Sequence, residues 1–183
     1  MAPTAKDFRR VMGLFATGVT VVAAYDGGAI RAATVNAFTS VSLEPLLVLV
    51  GLHKESRTGQ AIRRSEGFSV NILREDGLAL ANHFAGKPQE GLPVTFLPFA
   101  GGPRLEGALA SLGLRLEAVY PGGDHLLFLG RVEALYEGEP GGPLVFWRGG
   151  YRLLREPSLS PLQEADPFAP PLPPEPIYHE HEP

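Results

Sequence analysis

At 183 residues and with 44% hydrophobic side chains, the chain has the length of one domain with room for an appendage, and enough apolar material to bury a real core. A formal net charge of -4 and a pI near 5.7 argue against a nucleic-acid binder, which would carry a basic face. Zero cysteines exclude a disulfide scaffold, a thiolate metal site and a redox dithiol. The start MAPTAKDFRR lacks the apolar core of a signal peptide and no apolar run reaches membrane-spanning length, so the expected location is cytoplasmic.

Thr4, with Asp7 three residues on, reads as a helix start. Phe8, Val11, Met12 and Phe15 then recur at i, i+3, i+4 and i+7, which predicts an amphipathic helix ending near Gly18. Residues 19–25 are a β-branched run, Asp26-Gly27-Gly28 signals a turn, and residues 30–38 can return as the second arm of a hairpin. A strand over residues 46–52 leads to a helix from Ser56, then to a strand over residues 68–73. Asp76 can cap a short helix over residues 78–84, closed by Gly86. The Pro- and Gly-rich segment 87–107 reads as a long surface loop. Leu112, Leu114, Leu116 and Ala118 alternate with Arg115 and Glu117, the mark of a half-buried strand. PGGD turns the chain into residues 126–136, and a last strand over 144–148 precedes Tyr151. Many strands with few helices predict a mainly β fold, a closed or partly closed barrel that disposes of its edges.

The segment 157–183 is a different material. It holds nine of the 18 prolines, mixed with acidic residues, and has little with which to build a core. It divides the chain into a folded domain, 1–156, and an extended arm. Phe168, Leu172 and Ile177 offer apolar anchors should residues 167–176 lie along a partner subunit as polyproline II. The closing HEHE lacks the helical spacing of a zinc protease motif, and no metal is expected.

Chemistry concentrates between residues 33 and 58, ATVNAFTSVSLEPLLVLVGLHKESRT. Thr34, Asn36, Thr39, Ser40 and Ser42 are short hydrogen-bonding side chains that let a planar ligand approach the backbone. Ser56, Arg57 and Thr58 would place two hydroxyls, a guanidinium and free N–H groups at the positive end of a helix dipole, where a phosphate fits. Any one of these hydroxyls alone reads as an outward strand residue or a cap; their clustering favours a ligand. Together they suggest a cofactor with a flat polar head and a phosphate tail. No convincing nucleophile–base pair stands beside them.

The chain resembles the flavin reductase-like FMN-binding split-barrel family, which includes the small reductase components of two-component flavin monooxygenases. The resemblance covers residues 8–154 and rests on FRRVMGLFATGVTVV, ATVNAFTSVSLEPLLV, SRT, NHFAGKP, PGGDH and PLVFWRGGYRLL in the family's order. It implies an α+β split barrel that binds FMN, or FAD, and takes a hydride from NADH or NADPH for a monooxygenase or other acceptor. By this resemblance Thr34, Val35, Asn36, Ala37, Ser40, Val41 and Ser42 face the flavin, with backbone N–H groups of residues 35–38 toward the ring carbonyls. Ser56, Arg57 and Thr58 hold the phosphate, and Phe84, Ala85, Lys87 and Tyr151 border the cofactor. His125 of the GDH sequence meets the nicotinamide, and a homodimer closes the site across a two-fold interface. No GxGxxG follows a strand, so the nicotinamide nucleotide must bind in the flavin cleft itself. A flavin-bound electron carrier of the same fold stays open as the alternative. A barrel binding nucleic acid is disfavoured, since basic residues are neither numerous nor interleaved with aromatics.

Overall fold

The computed structural model describes residues 2–154, so every reading of segment 157–183 lies outside the described residues. Helix α1 (Ala5–Met12) opens on Thr4, whose hydroxyl accepts from the Asp7 N–H while the Asp7 carboxylate accepts from the Thr4 N–H, the reciprocal cap expected from sequence. It ends at Gly13, short of Gly18, because the chain is recruited into a strand: β1 (Thr17–Gly18) pairs with β11 (Leu144–Trp147). The Trp147 indole N–H donates to the Leu14 carbonyl at 3.1 Å, fastening the segment after the helix to that strand.

Next come β2 (Thr20–Asp26), β3 (Ala29–Val35), β4 (Phe38–Leu43), β5 (Leu46–His53), α2 (Arg57–Ser65) and β6 (Gly67–Ile72). After them lie α3 (Leu78–Phe84), β7 (Phe96–Leu97), β8 (Arg104–Leu105), β9 (Ala110–Gly122), β10 (His125–Glu137) and, beyond β11, β12 (Gly150–Leu153). The architecture is mainly β with short helices, as expected. Seven strands form one antiparallel sheet in the order β3-β2-β6-β9-β10-β5-β4, and β1-β11-β12 and β7-β8 form two small ones.

Alternation along the strands divides the core between the faces of the large sheet. Val22, Val50, Val70, Leu114 and Phe128 gather beneath Ala61 and Ile62 of α2, whereas Val19, Val21, Leu73, Leu105 and Leu144 gather with Ala81 of α3. The central strands β2 and β6 are therefore covered on both sides and read as apolar runs. Phe68 and Phe128, both fully buried, each contribute about 1.5–3 kcal/mol of transfer free energy. A Cβ on Gly59 would lie 3.0 Å from the Phe128 ring, so glycine lets α2 settle directly on β10.

Besides the end of α1, three expectations need correction. The hairpin arm placed over residues 30–38 ends at Val35, because the Ala37 carbonyl accepts from the Gly51 N–H and diverts the chain into β4 at the other end of the sheet. Asp76 does not cap α3; its carboxylate is engaged by Arg74, and Gly77 occupies the N-cap without a side-chain bond. Segment 87–107 is not all surface loop, since β7 and β8 pair within it, Leu105 is buried and its N–H donates to Asn71 Oδ1 at 2.9 Å.

Candidate active site

The start of α2 has the construction of an anion site. The Ser56 hydroxyl accepts from the Gly59 N–H at 3.2 Å and its carbonyl takes the Gln60 N–H, which leaves the N–H groups of Arg57 and Thr58 for an external acceptor. Arg57 is exposed, no acidic residue stands in the first turn, and its guanidinium makes no ion pair among the described residues. Thr58 is buried at 3% exposure, so it anchors the helix start as much as it could offer its hydroxyl.

The neighbouring strand ends supply the rest. Ala37 sits against Gly51, two residues before His53, and a Cβ on Gly51 would come within 3.2 Å of the Ala37 side chain. Phe38 spends its N–H on the Asn36 carbonyl, whereas the N–H groups of Asn36 and Ala37 have no partner among the described residues. His53 pairs in register with His125 across β5 and β10, and the Lys54 N–H donates to the Asp124 carbonyl at 3.1 Å. The register and these bonds thus bring Ala37, Ser56 and His125 to the His53 end of β5, with Asn36, Arg57 and Thr58 next to them in the chain. His125 Nδ1 lies 2.8 Å from Asp124 Oδ1. That hydrogen bond, with the charge His125 carries when protonated, holds the Asp124 carboxyl below its ordinary range.

Thr34, Val35, Phe84, Ala85, Lys87 and Tyr151 are placed differently. The Thr34 hydroxyl donates to the Ala81 carbonyl at 2.7 Å and so ties β3 to α3, two residues from Asn36, while Val35 is buried in the core under α2. Phe84 packs edge-on against Phe96 at 5.9 Å, Ala85 is the C-cap of α3, and Lys87 is exposed beyond it. Tyr151 packs against Phe146 in the same cluster as Phe84, and burial pushes its phenol up. Ser40, Val41 and Ser42 run away along β4. Ser42 pairs with Leu47, six residues before His53 on β5 and so about 20 Å from the His125 end at the rise of a strand. Only an elongated ligand lying along β4 could touch both.

Two features were missed from sequence. His53 carried no local signal, since only the β5–β10 register reveals its partner. The other is a cleft of about 320 Å³ lined by Phe15, Thr17, Thr20, Asn36, Phe38 and Ile72, in which Asn36 borders both cleft and sheet end. The Thr17 hydroxyl is buried there with no partner among the described residues. A larger groove of about 560 Å³ lies at the far end of α2, beside Ser65 and Glu66. There Arg115 pairs with Glu133 at 3.2 Å and Glu117 with Arg131 at 2.9 Å, which leaves the Glu66 carboxylate as the lining charge without an ion pair among the described residues.

Residues 12–155 match the model of the flavin reductase like domain. The chain belongs to this family. It is 43% identical over 151 residues to the reductase component of 4-hydroxyphenylacetate 3-monooxygenase from Thermus thermophilus, covering 82% of this chain and 97% of that one. It is also 43% identical over 162 residues to the NADH-dependent FMN reductase AsuE2 of Streptomyces nodosus subsp. asukaensis, covering 85% and 88%. Among solved structures, flavin reductase PheA2 in its native state superposes with a TM-score of 0.80 at 38% identity, covering 84% of this chain and all of that one. The flavin reductase-like domain thus takes in the whole site just described.

Proposed function

We propose that this chain is an NAD(P)H:flavin oxidoreductase that binds FMN, or FAD, and hands reduced flavin to a monooxygenase or another acceptor. The observation that carries the proposal is the meeting, at one sheet end, of the α2 start with unpaired Arg57 and of the free Asn36 and Ala37 N–H groups with His125. The donor set suits a flavin mononucleotide: a cation and N–H groups for the phosphate, and N–H groups for ring carbonyls. The relatives' names support a flavin as the cofactor, NADH as the reductant and a monooxygenase as the acceptor.

When bound, the flavin supplies the hydride-accepting ring, so the protein need only bind and orient. Ser56, Arg57 and Thr58 hold the phosphate end. Asn36 and Ala37 fix the ring edge through the backbone, where their N–H groups stabilise charge gathering on its oxygens. His125 faces the nicotinamide of the incoming substrate, its Nδ1 occupied by Asp124 and its Nε2 making no hydrogen bond among the described residues. We place the catalytic split-barrel domain in residues 1–156. The active form is a homodimer located in the cytoplasm; no described helix is long and apolar enough to cross a membrane.

The test is an absorbance scan of the purified protein followed by NADH oxidation with and without added FMN. Oxidation that depends on flavin supports the proposal. No oxidation of NADH or NADPH with either FMN or FAD overturns it.

A further inference from the structure

We propose that His53 is a positioning residue for hydride transfer, its ring holding the His125 imidazole in the orientation in which it meets the nicotinamide. The two rings pack edge to face across the β5–β10 pair, with centroids 5.6 Å apart and planes at 81°. His125 is half-exposed, and its other hold is the Asp124 carboxylate at Nδ1. A single in-plane hydrogen bond from an adjacent residue on a turn leaves a half-exposed ring free to swing about it. A second aromatic ring at right angles removes that freedom.

His53 is itself held. Its Nδ1 accepts from the Glu55 N–H at 3.3 Å, and its carbonyl accepts from the Ser56 N–H at 2.9 Å. The same short segment therefore sets the start of α2 and the ring that buttresses His125. The Lys54 N–H bond to the Asp124 carbonyl clamps the two strand ends together between them. This inference rests on the reading of His125 as the residue that meets the nicotinamide. It adds that the orientation of His125 is set from the neighbouring strand, by packing rather than by proton transfer.

Phenylalanine in place of His53 separates ring packing from hydrogen bonding, since it keeps an aromatic edge and loses Nδ1. His53→Ala should slow flavin reduction by NADH in stopped flow by about tenfold with FMN affinity within about twofold, and His53→Phe should recover most of that rate. In a His125→Ala background, His53→Ala should have no further effect. An unaltered rate in His53→Ala, a rate in His53→Phe as low as in His53→Ala, or an additive loss in the double variant would each overturn the proposal. A second readout needs no turnover. The His125 Nδ1–H signal in imidazole ¹⁵N-edited NMR of the full chain should be retained in His53→Phe and broadened in His53→Ala. A sharp, unshifted signal in His53→Ala overturns the positioning role directly. Wild-type protein with no flavin-dependent NADH oxidation would instead overturn the function itself, so the two failures are distinguishable.

Discussion

A guanidinium at a helix N-terminus faces the positive end of the dipole, yet Arg57 opens α2 with no acidic residue in its first turn. Such a placement is unfavourable in the empty site and becomes favourable when an anion arrives. Arg57→Ala should therefore weaken FMN by about 1.5–3 kcal/mol, the range of a charge-assisted hydrogen bond, and leave riboflavin nearly unaffected. Isothermal titration with both flavins decides it, and equal losses would remove the phosphate assignment. Arg57 is a cleaner probe than Thr58, whose burial would mix packing with binding. His125→Ala should lower kcat/KM for NADH about tenfold, roughly 1.4 kcal/mol, while flavin affinity holds, because the phosphate and ring contacts lie on other segments. A turn histidine without a ligand role would move neither constant. Asp124, kept ionised by its bond to His125, should matter in the same direction, and an Asp124→Asn variant checked by the same kinetics would show a loss in kcat/KM without a loss of FMN. The helix start at Ser56 is a local pattern and could be read from its cap, whereas the role given to His125 came from the family resemblance and not from the Gly-Gly-Asp turn before it. His53 was not legible, because its meaning arises only from strand pairing.

Elements were legible where periodicity was strong. The alternation through Leu112–Ala118 became β9, and the start of α2 at Ser56 was read from its cap. The losses came where a tertiary partner outbid a local signal. Arg74 takes the Asp76 carboxylate from the start of α3, Phe96 and Leu105 draw part of a Pro- and Gly-rich segment into a small hairpin, and β11 claims residues 17–18 from the end of α1. The contact between α2 and β10 is the one on which the site depends, since Gly59 brings the helix against the Phe128 ring. Phe128→Ala should cost about 3–5 kcal/mol through lost burial and the cavity beneath α2, read by urea unfolding. Because the cavity lies under the first turn of α2, FMN affinity should fall with it. Full destabilisation with unchanged FMN affinity would show that the anion site does not depend on how α2 is seated.

On the scale of the whole molecule, nothing among the described residues covers the apolar stripe of α1. No residue of α1 is buried; Phe8 is 64% and, just beyond the helix, Phe15 is 69% exposed, with Val11, Met12 and Leu14 open beside them. An amphipathic helix is stable in water chiefly through burial of its apolar face, so one of eight residues that buries nothing is marginal by itself. A second copy of the chain is the occupant consistent with the homodimer proposed above. Phe15 also lines the cleft that Asn36 borders, so a copy seated on this stripe would lie next to Asn36, one of the residues proposed to hold the flavin. Light scattering of the wild-type protein should give twice the chain mass, and Phe8→Glu with Phe15→Glu should shift it toward the monomer at micromolar concentration. The substitutions remove no buried side chain, so the fold itself should survive, and circular dichroism checks that it does. FMN affinity should fall along with the dimer. A wild-type monomer with full flavin affinity would show that the site is complete in one chain and that the α1 stripe serves some other contact.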